Sequence, residues 1–203
     1  MSIKKDFSLM AILLIPVAIA INIVGGQLVN LLKLPVFLDT IGTILISCIA
    51  GPWVGAVTGI LSNAINAIFA PQLFPYAFVS VCIAVVAGYL AKGKMFTTLV
   101  KTVISSLIIV LTAIISSLPI TVFIFGGASG GGSSLVTSAF LAMGHSLIQS
   151  VLTSSLITEL ADKIISCIIV FLIIRSMSTR YLSKFSQGSI YIKQKKSAKG
   201  NLK

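Results

Sequence analysis

Acidic side chains are nearly missing from this chain: Asp and Glu together number 4, and only 9% of the residues are charged. A soluble domain carries roughly a quarter charged residues, so a soluble globular protein is excluded. With 57% hydrophobic residues and a mean hydropathy of +1.11, the chain reads as an integral membrane protein. Cysteine is also scarce. Cys48, Cys82 and Cys167 stand singly within apolar runs, with neither a metal spacing nor a disulfide framework, and read as packing residues. The single histidine, His145, lies in MGHSLIQS with Gln149 one turn later. Zinc takes three or four ligands, and no cysteine or carboxylate stands at a chelating distance, so no metal is expected. His145 is then a satisfied interior side chain or a ligand or proton carrier. No Walker sequence is present. The glycine-rich GGASGGGSS at 126–134 follows no strand and lacks the lysine and hydroxyl of a phosphate loop. It reads as a mobile loop whose functional role would be a gate over a pocket. Nor is there a nucleophile paired with a base at recognisable spacing. With no room for a soluble catalytic domain among 203 residues, an enzyme is not expected, and neither is a cofactor.

What is present is a succession of apolar runs. The chain accommodates about six spans of ~20 residues with short links. Ser8 to Val24 is the first, with Pro16 as a possible kink and Asn22, Gln27 and Asn30 near its far end. Val36 to Ala50 is the second, opened by Pro35 and carrying Asp39 near its start. Gly51-Pro52 turns the chain into a third helix that ends at Pro71, and PQLFPY turns it again into a fourth from Tyr76 to Ala91. Val100 to Phe125 is the fifth, rich in hydroxyls that bond back to their own helix and bent or ended at Pro119. Two pieces follow, Leu135 to Ser150 and Leu152 to Ile174, parted by the hydroxyl cluster at 153–155. With six spans, every basic residue except Lys33 and Lys163 falls on one side, which the positive-inside rule makes cytoplasmic. Leu135 to Ser150 is then a re-entrant or interfacial helix on the outer side. The expected fold is an all-α six-transmembrane-helix bundle over 1–176 with both termini cytoplasmic, followed by a basic tail over 177–203. That tail has no acid, and attraction to anionic membrane lipid explains it without invoking nucleic acid.

The third helix is the most patterned stretch. Gly51, Gly55, Gly59, Asn63 and Ala67 recur every fourth residue and form one narrow ridge, smooth at its start and amide-bearing further along. Small residues let a neighbouring backbone come close in lipid, where no hydrophobic force presses helices together. An unpaired amide in hydrocarbon costs roughly a few kcal/mol, so Asn63 and Asn66 either pair with a neighbouring helix or floor a ligand pocket. Asp39 offers the same choice between the dipole-favoured start of a helix and a water-filled mouth. Glu159, Asp162 and Lys163 open the expected last span, with Glu159 and Lys163 in the order that favours a helical ion pair. A structural pair is the alternative, but Asp39, Gln72, Asn63, Asn66 and this cluster all converge on the outer face. The candidate solute-binding set is therefore Asp39, Asn63, Asn66, Gln72, Tyr76, His145, Gln149, Glu159, Asp162 and Lys163.

LPVFLDTIGTILIS, GPWVGAVTGILSNAINAIFAP, the Pro75-Tyr76-Ala77 helix start and ITELADKIIS together resemble the membrane-embedded substrate-binding S components of energy-coupling factor (ECF) vitamin transporters, over most of residues 8–176. The resemblance implies a six-helix protein that binds a vitamin-like or nucleoside-like small molecule near the extracellular face. It also implies a transmembrane T subunit and two ATP-hydrolysing subunits as partners that supply the energy. Members of the family commonly meet the T subunit through small residues on the first helix, a spacing that Ala11, Ala18 and Ala20 match only loosely. The competing class is a multi-span membrane sensor or assembly protein without transport, and the lack of a kinase or output domain after Ile174 favours transport.

Overall fold

The computed structural model describes residues 6–127 and 132–192. Among them every regular element is helical: α1 Leu9–Leu32, α2 Ile41–Ile49, α3 Pro52–Phe69, α4 Ala77–Lys92, α5 Leu99–Pro119, α6 Gly132–Ala142, α7 Leu147–Ser176 and the short α8 Thr179–Leu182. Four stretches are long and apolar enough to cross a membrane: α1, α3, α4 with the 3-10 turn that leads into it, and α5 with the π-turn that follows it. Their exposed side chains are those that lipid would solvate, such as Leu13 and Leu31 on α1 and Leu111 and Ile115 on α5.

The second expected span is a different object. Of Val36 to Ala50 only Ile41–Ile49 is helical, a rod of about 14 Å that is too short for a hydrocarbon core of about 30 Å. All nine of its residues are buried, against α1, α3, α4 and α7. Small residues make that enclosure possible. A Cβ on Gly42 would strike the Ala18 carbonyl of α1, and one on Gly55 would strike the Ser47 hydroxyl. One on Gly59 would come within 2.8 Å of Ser80 Cβ on α4. The glycines of the α3 ridge are thus packing surfaces.

A buried short helix has orphan backbone groups at both ends. At the N-terminus of α2, Thr40 makes no side-chain cap. Asn22 of α1 caps it instead: its Oδ1 accepts from the Gly42 N–H at 2.7 Å and the Thr43 N–H at 3.4 Å. Its Nδ2 donates to Thr43 Oγ1 at 2.8 Å and to Ser62 Oγ of α3 at 2.9 Å. One fully buried amide therefore joins three helices. At the other end the chain following α8 folds back: the Gln187 N–H donates to Ile49 O at 3.0 Å, Tyr191 Oη to Cys48 O at 3.3 Å and Ser186 Oγ to Ala50 O. Leu182, Phe185 and Tyr191 join the core there. Residues 177–192, the start of the expected basic tail, pack onto the bundle. Residues 1–5 and 193–203, which carry both termini and much of the expected basic tail, lie outside the described residues.

The α3 N-terminus sits at this same end. Gly51 has φ 124°, and the Asp6 carboxylate occupies the space its Cβ would take. Asp6 accepts from the Trp53 backbone N–H, and burial raises its carboxyl above the usual range. The last expected span also differs from the expectation. Instead of breaking at the hydroxyl cluster, α7 runs unbroken for 30 residues from Leu147, so Glu159, Asp162 and Lys163 lie in mid-helix and do not open it. Hydroxyls satisfied within the helix allow this: Thr158 Oγ1 donates to Ser154 O at 2.9 Å, and Ser154 Oγ donates to Val151 O at 3.3 Å.

Candidate functional site

At the end of the bundle remote from Asp6 and Gln187, the helices part around a cavity of about 160 Å³, or about 1270 Å³ when all the space out to its open mouth is counted. Its walls come from the far end of α1, the 36–40 connection, the second half of α3, the 3-10 turn Pro71–Tyr76, the start of α4, the end of α5, α6 and the first half of α7. The space exists because α2 stops short. From Lys33 to Thr40 the chain is non-helical, and this segment borders the cavity where a full span would fill it.

Among the expected site residues, Asp39, Asn63, Asn66, Gln72, Tyr76, Glu159 and Lys163 line the cavity. Asp162, His145 and Gln149 do not. Asp162 is fully buried behind the wall, where its Oδ1 accepts from the backbone N–H groups of Phe37 at 3.2 Å and Leu38 at 2.6 Å and its Oδ2 meets Lys163 Nζ. It holds the non-helical 36–40 segment against α7. His145 is exposed at the α6–α7 turn with its ring edge-on to Phe140, and Gln149 is exposed in the first turn of α7. The reason is helical register: the residues of this part of α7 that reach the cavity are Val151, Ser154, Ser155, Thr158 and Glu159, on the opposite side from Gln149.

Within the lining, the polar groups fall into two kinds. Asn63 is committed, since its Nδ2 donates to Gly59 O at 2.9 Å and to Ser80 Oγ at 2.7 Å, tying α3 to α4. Tyr76 is half-committed: its hydroxyl pairs with Thr121 Oγ1 at 2.8 Å and its ring stacks on Phe125 at 5.9 Å. Asn66 is different. It is 7% exposed and borders the cavity, and no described residue hydrogen-bonds its side chain. Glu159, 6% exposed, has an Oε2 that reaches Lys163 Nζ at 3.2 Å as an ion pair without hydrogen-bond geometry. Lys163 itself is heavily engaged, by Asp162, by Glu159 and by Thr40 Oγ1 at 3.3 Å.

Further lining groups carried weaker sequence signals. Gln27 and Asn30 sit at the mouth from α1, whereas Asn22, from the same polar run, is the α2 cap. The hydroxyls of Ser117 and Thr121 on the fifth apolar run, and of Ser154 and Ser155 in the hydroxyl cluster, all face the cavity. Gly127, Ser133 and Ser134, from the two ends of the glycine-rich loop, border it as well, while residues 128–131 of that loop lie outside the described residues. Among the described residues no group of three or more histidine, cysteine or carboxylate side chains is arranged to hold a metal.

On α1, Ala11 and Ala18 are buried against the core, whereas Ala20 is exposed on the outward face with Ile12, Leu13, Val17 and Leu28. No family model matches the chain, and neither a curated protein nor a solved structure is similar to it.

Proposed function

We propose that this chain is the substrate-capturing subunit of an ECF-type ATP-driven importer in the cell membrane, taking a vitamin-like or nucleoside-like small molecule from outside. The observation that carries the proposal is the unpaired Asn66 amide, nine-tenths buried at the wall of a cavity large enough for such a solute. Ligand sites combine an apolar concavity with a few placed polar groups in this way. In this reading the chain crosses the membrane six times, with α2 and its non-helical lead forming a broken second crossing and α7 the last. Non-helical backbone at that depth is tolerated because protein surrounds it and the cavity wets it. Among the described basic residues, Lys92, Lys94, Lys101, Arg175, Arg180 and Lys184 gather at the end opposite the cavity, and the positive-inside rule supports reading that end as cytoplasmic. The cavity then faces outward. The partner T subunit would meet a large-residue apolar face, since Ala11 and Ala18 are taken up by internal packing.

Native mass spectrometry of the protein purified from its own membranes is the test. The expected result is a bound organic solute, released on unfolding, with the T and ATP-hydrolysing subunits recovered under mild detergent. A chain that carries no solute and brings down no ATP-hydrolysing partner contradicts the assignment. Topology is checked separately in a background lacking Cys48, Cys82 and Cys167. A Lys184→Cys variant should resist an impermeant thiol reagent in intact cells, and a Lys33→Cys variant should react.

A further inference from the structure

We infer that the solute held in this cavity is an organic cation, a protonated amine or cationic heterocycle, bound by the carboxylates of Asp39 and Glu159. The inference rests on the importer reading above and narrows its substrate class. The chain has 4 acidic residues in all, and Asp39, Glu159 and Asp162 are within electrostatic reach of one another at this one place. A single ammonium, Lys163, stands among them. Asp162 is satisfied by two backbone N–H groups and by Lys163, so the pairing available from that lysine is largely used behind the wall. Asp39 borders the cavity and makes no ion pair within 4 Å among the described residues, and Glu159 borders it with an Oε2 that accepts no hydrogen bond although Lys163 Nζ lies 3.2 Å away. Three carboxylates sharing one ammonium carry an excess of negative charge that is costly in a site of low dielectric, and a cationic guest offsets it.

The other charge types fit less well. An anion would have to take Lys163 from its carboxylates. It would gain nothing from the helix terminus at the cavity, because Asn22 already occupies the first α2 amides and Asp39 stands beside them. A bare metal ion lacks its ligand set among the described residues, and the cavity is far larger than an ion needs. The wall also carries the aromatic rings of Phe37 and Tyr76, whose faces attract cations. Asn66 supplies a neutral donor and acceptor for the rest of the molecule.

The test titrates solute-free protein in detergent with a size-matched panel differing in charge: 1-naphthylmethylamine, 1-naphthylmethanol and 1-naphthoate, with Mg²⁺ and Na⁺ as ion controls. The amine is expected to bind at least about tenfold more tightly than the alcohol, with no saturable binding of the carboxylate. Asp39→Asn and Glu159→Gln should each lower that amine-to-alcohol ratio by about three- to tenfold, towards one. Two variants keep the test open if one of them fails to fold. Equal binding of the amine and alcohol, preferred binding of the carboxylate, or saturation by Mg²⁺ or Na⁺ alone overturns the cation assignment while leaving a solute site standing. Absence of binding by every member of the panel overturns the cation assignment together with the importer reading beneath it.

Discussion

Asn63 and Asn66 lie three residues apart on α3, carry the same side chain and are 6% and 7% exposed, yet the fold uses them differently. Asn63 spends its amide hydrogens on Gly59 and Ser80 and fastens α3 to α4. Asn66 meets no described protein partner and borders the cavity. The acids divide in the same way. Asp162 secures the 36–40 segment from behind the wall, while Asp39 and Glu159 border the cavity, Glu159 with an Oε2 that accepts no hydrogen bond. Burial alone therefore does not separate polar groups engaged in packing from those left open to the cavity. What separates them is whether the bonding capacity of each group is filled from within the protein.

That division can be broken most forcefully at Lys163. Lys163→Met strands Glu159 and Asp162 as buried carboxylates, and the expected loss is about 3 to 5 kcal/mol of stability, read as a large fall in thermal midpoint in detergent. A midpoint within a degree or two of the parent would mean the cluster is wetter than its burial indicates. Next in size is Asn22→Leu, which leaves the Gly42 N–H unpaired at the start of α2 and should cost about 1 to 3 kcal/mol. Asn63→Leu belongs to the same class, because Ser80 and the Gly59 carbonyl lose a donor, and should also fall by about 1 to 3 kcal/mol. Asn66→Leu sharpens the contrast. Removing an amide without a partner should change solute-free stability by no more than about 0.5 kcal/mol. His145→Ala and Gln149→Ala are expected to move neither stability nor binding, since both side chains are exposed outside the cavity.

How far these roles can be read from the sequence depends on the residue. The long apolar helices α1, α3, α4 and α5 follow from run length, and the Gly51-Pro52 and PQLFPY turns follow from their punctuation. The α2 helix does not, because hydropathy scores a buried short helix and a lipid-crossing one alike; the signals that mark it lie outside the run, in Asn22 and in Ser186, Gln187 and Tyr191. Spacing on α3 puts Asn63 and Asn66 near one face but cannot say which of them finds Ser80, a partner 17 positions away from Asn63. The same limit explains Asp162, whose partners Phe37 and Leu38 are 125 and 124 positions distant. The hydroxyl cluster at 153–155 reads as a break, yet hydroxyls bonded to their own helix let α7 continue through it.

The central claim is that Asn66 faces a solute while Asn63 faces the protein, and calorimetry on Asn66→Ala with the solute recovered from the native protein tests it most directly. The predicted result is an affinity weaker by about 1 to 3 kcal/mol, roughly 5- to 150-fold, with the solute-free thermal midpoint unchanged. An unchanged affinity, or a fall in midpoint as large as that of Asn63→Leu, would contradict it.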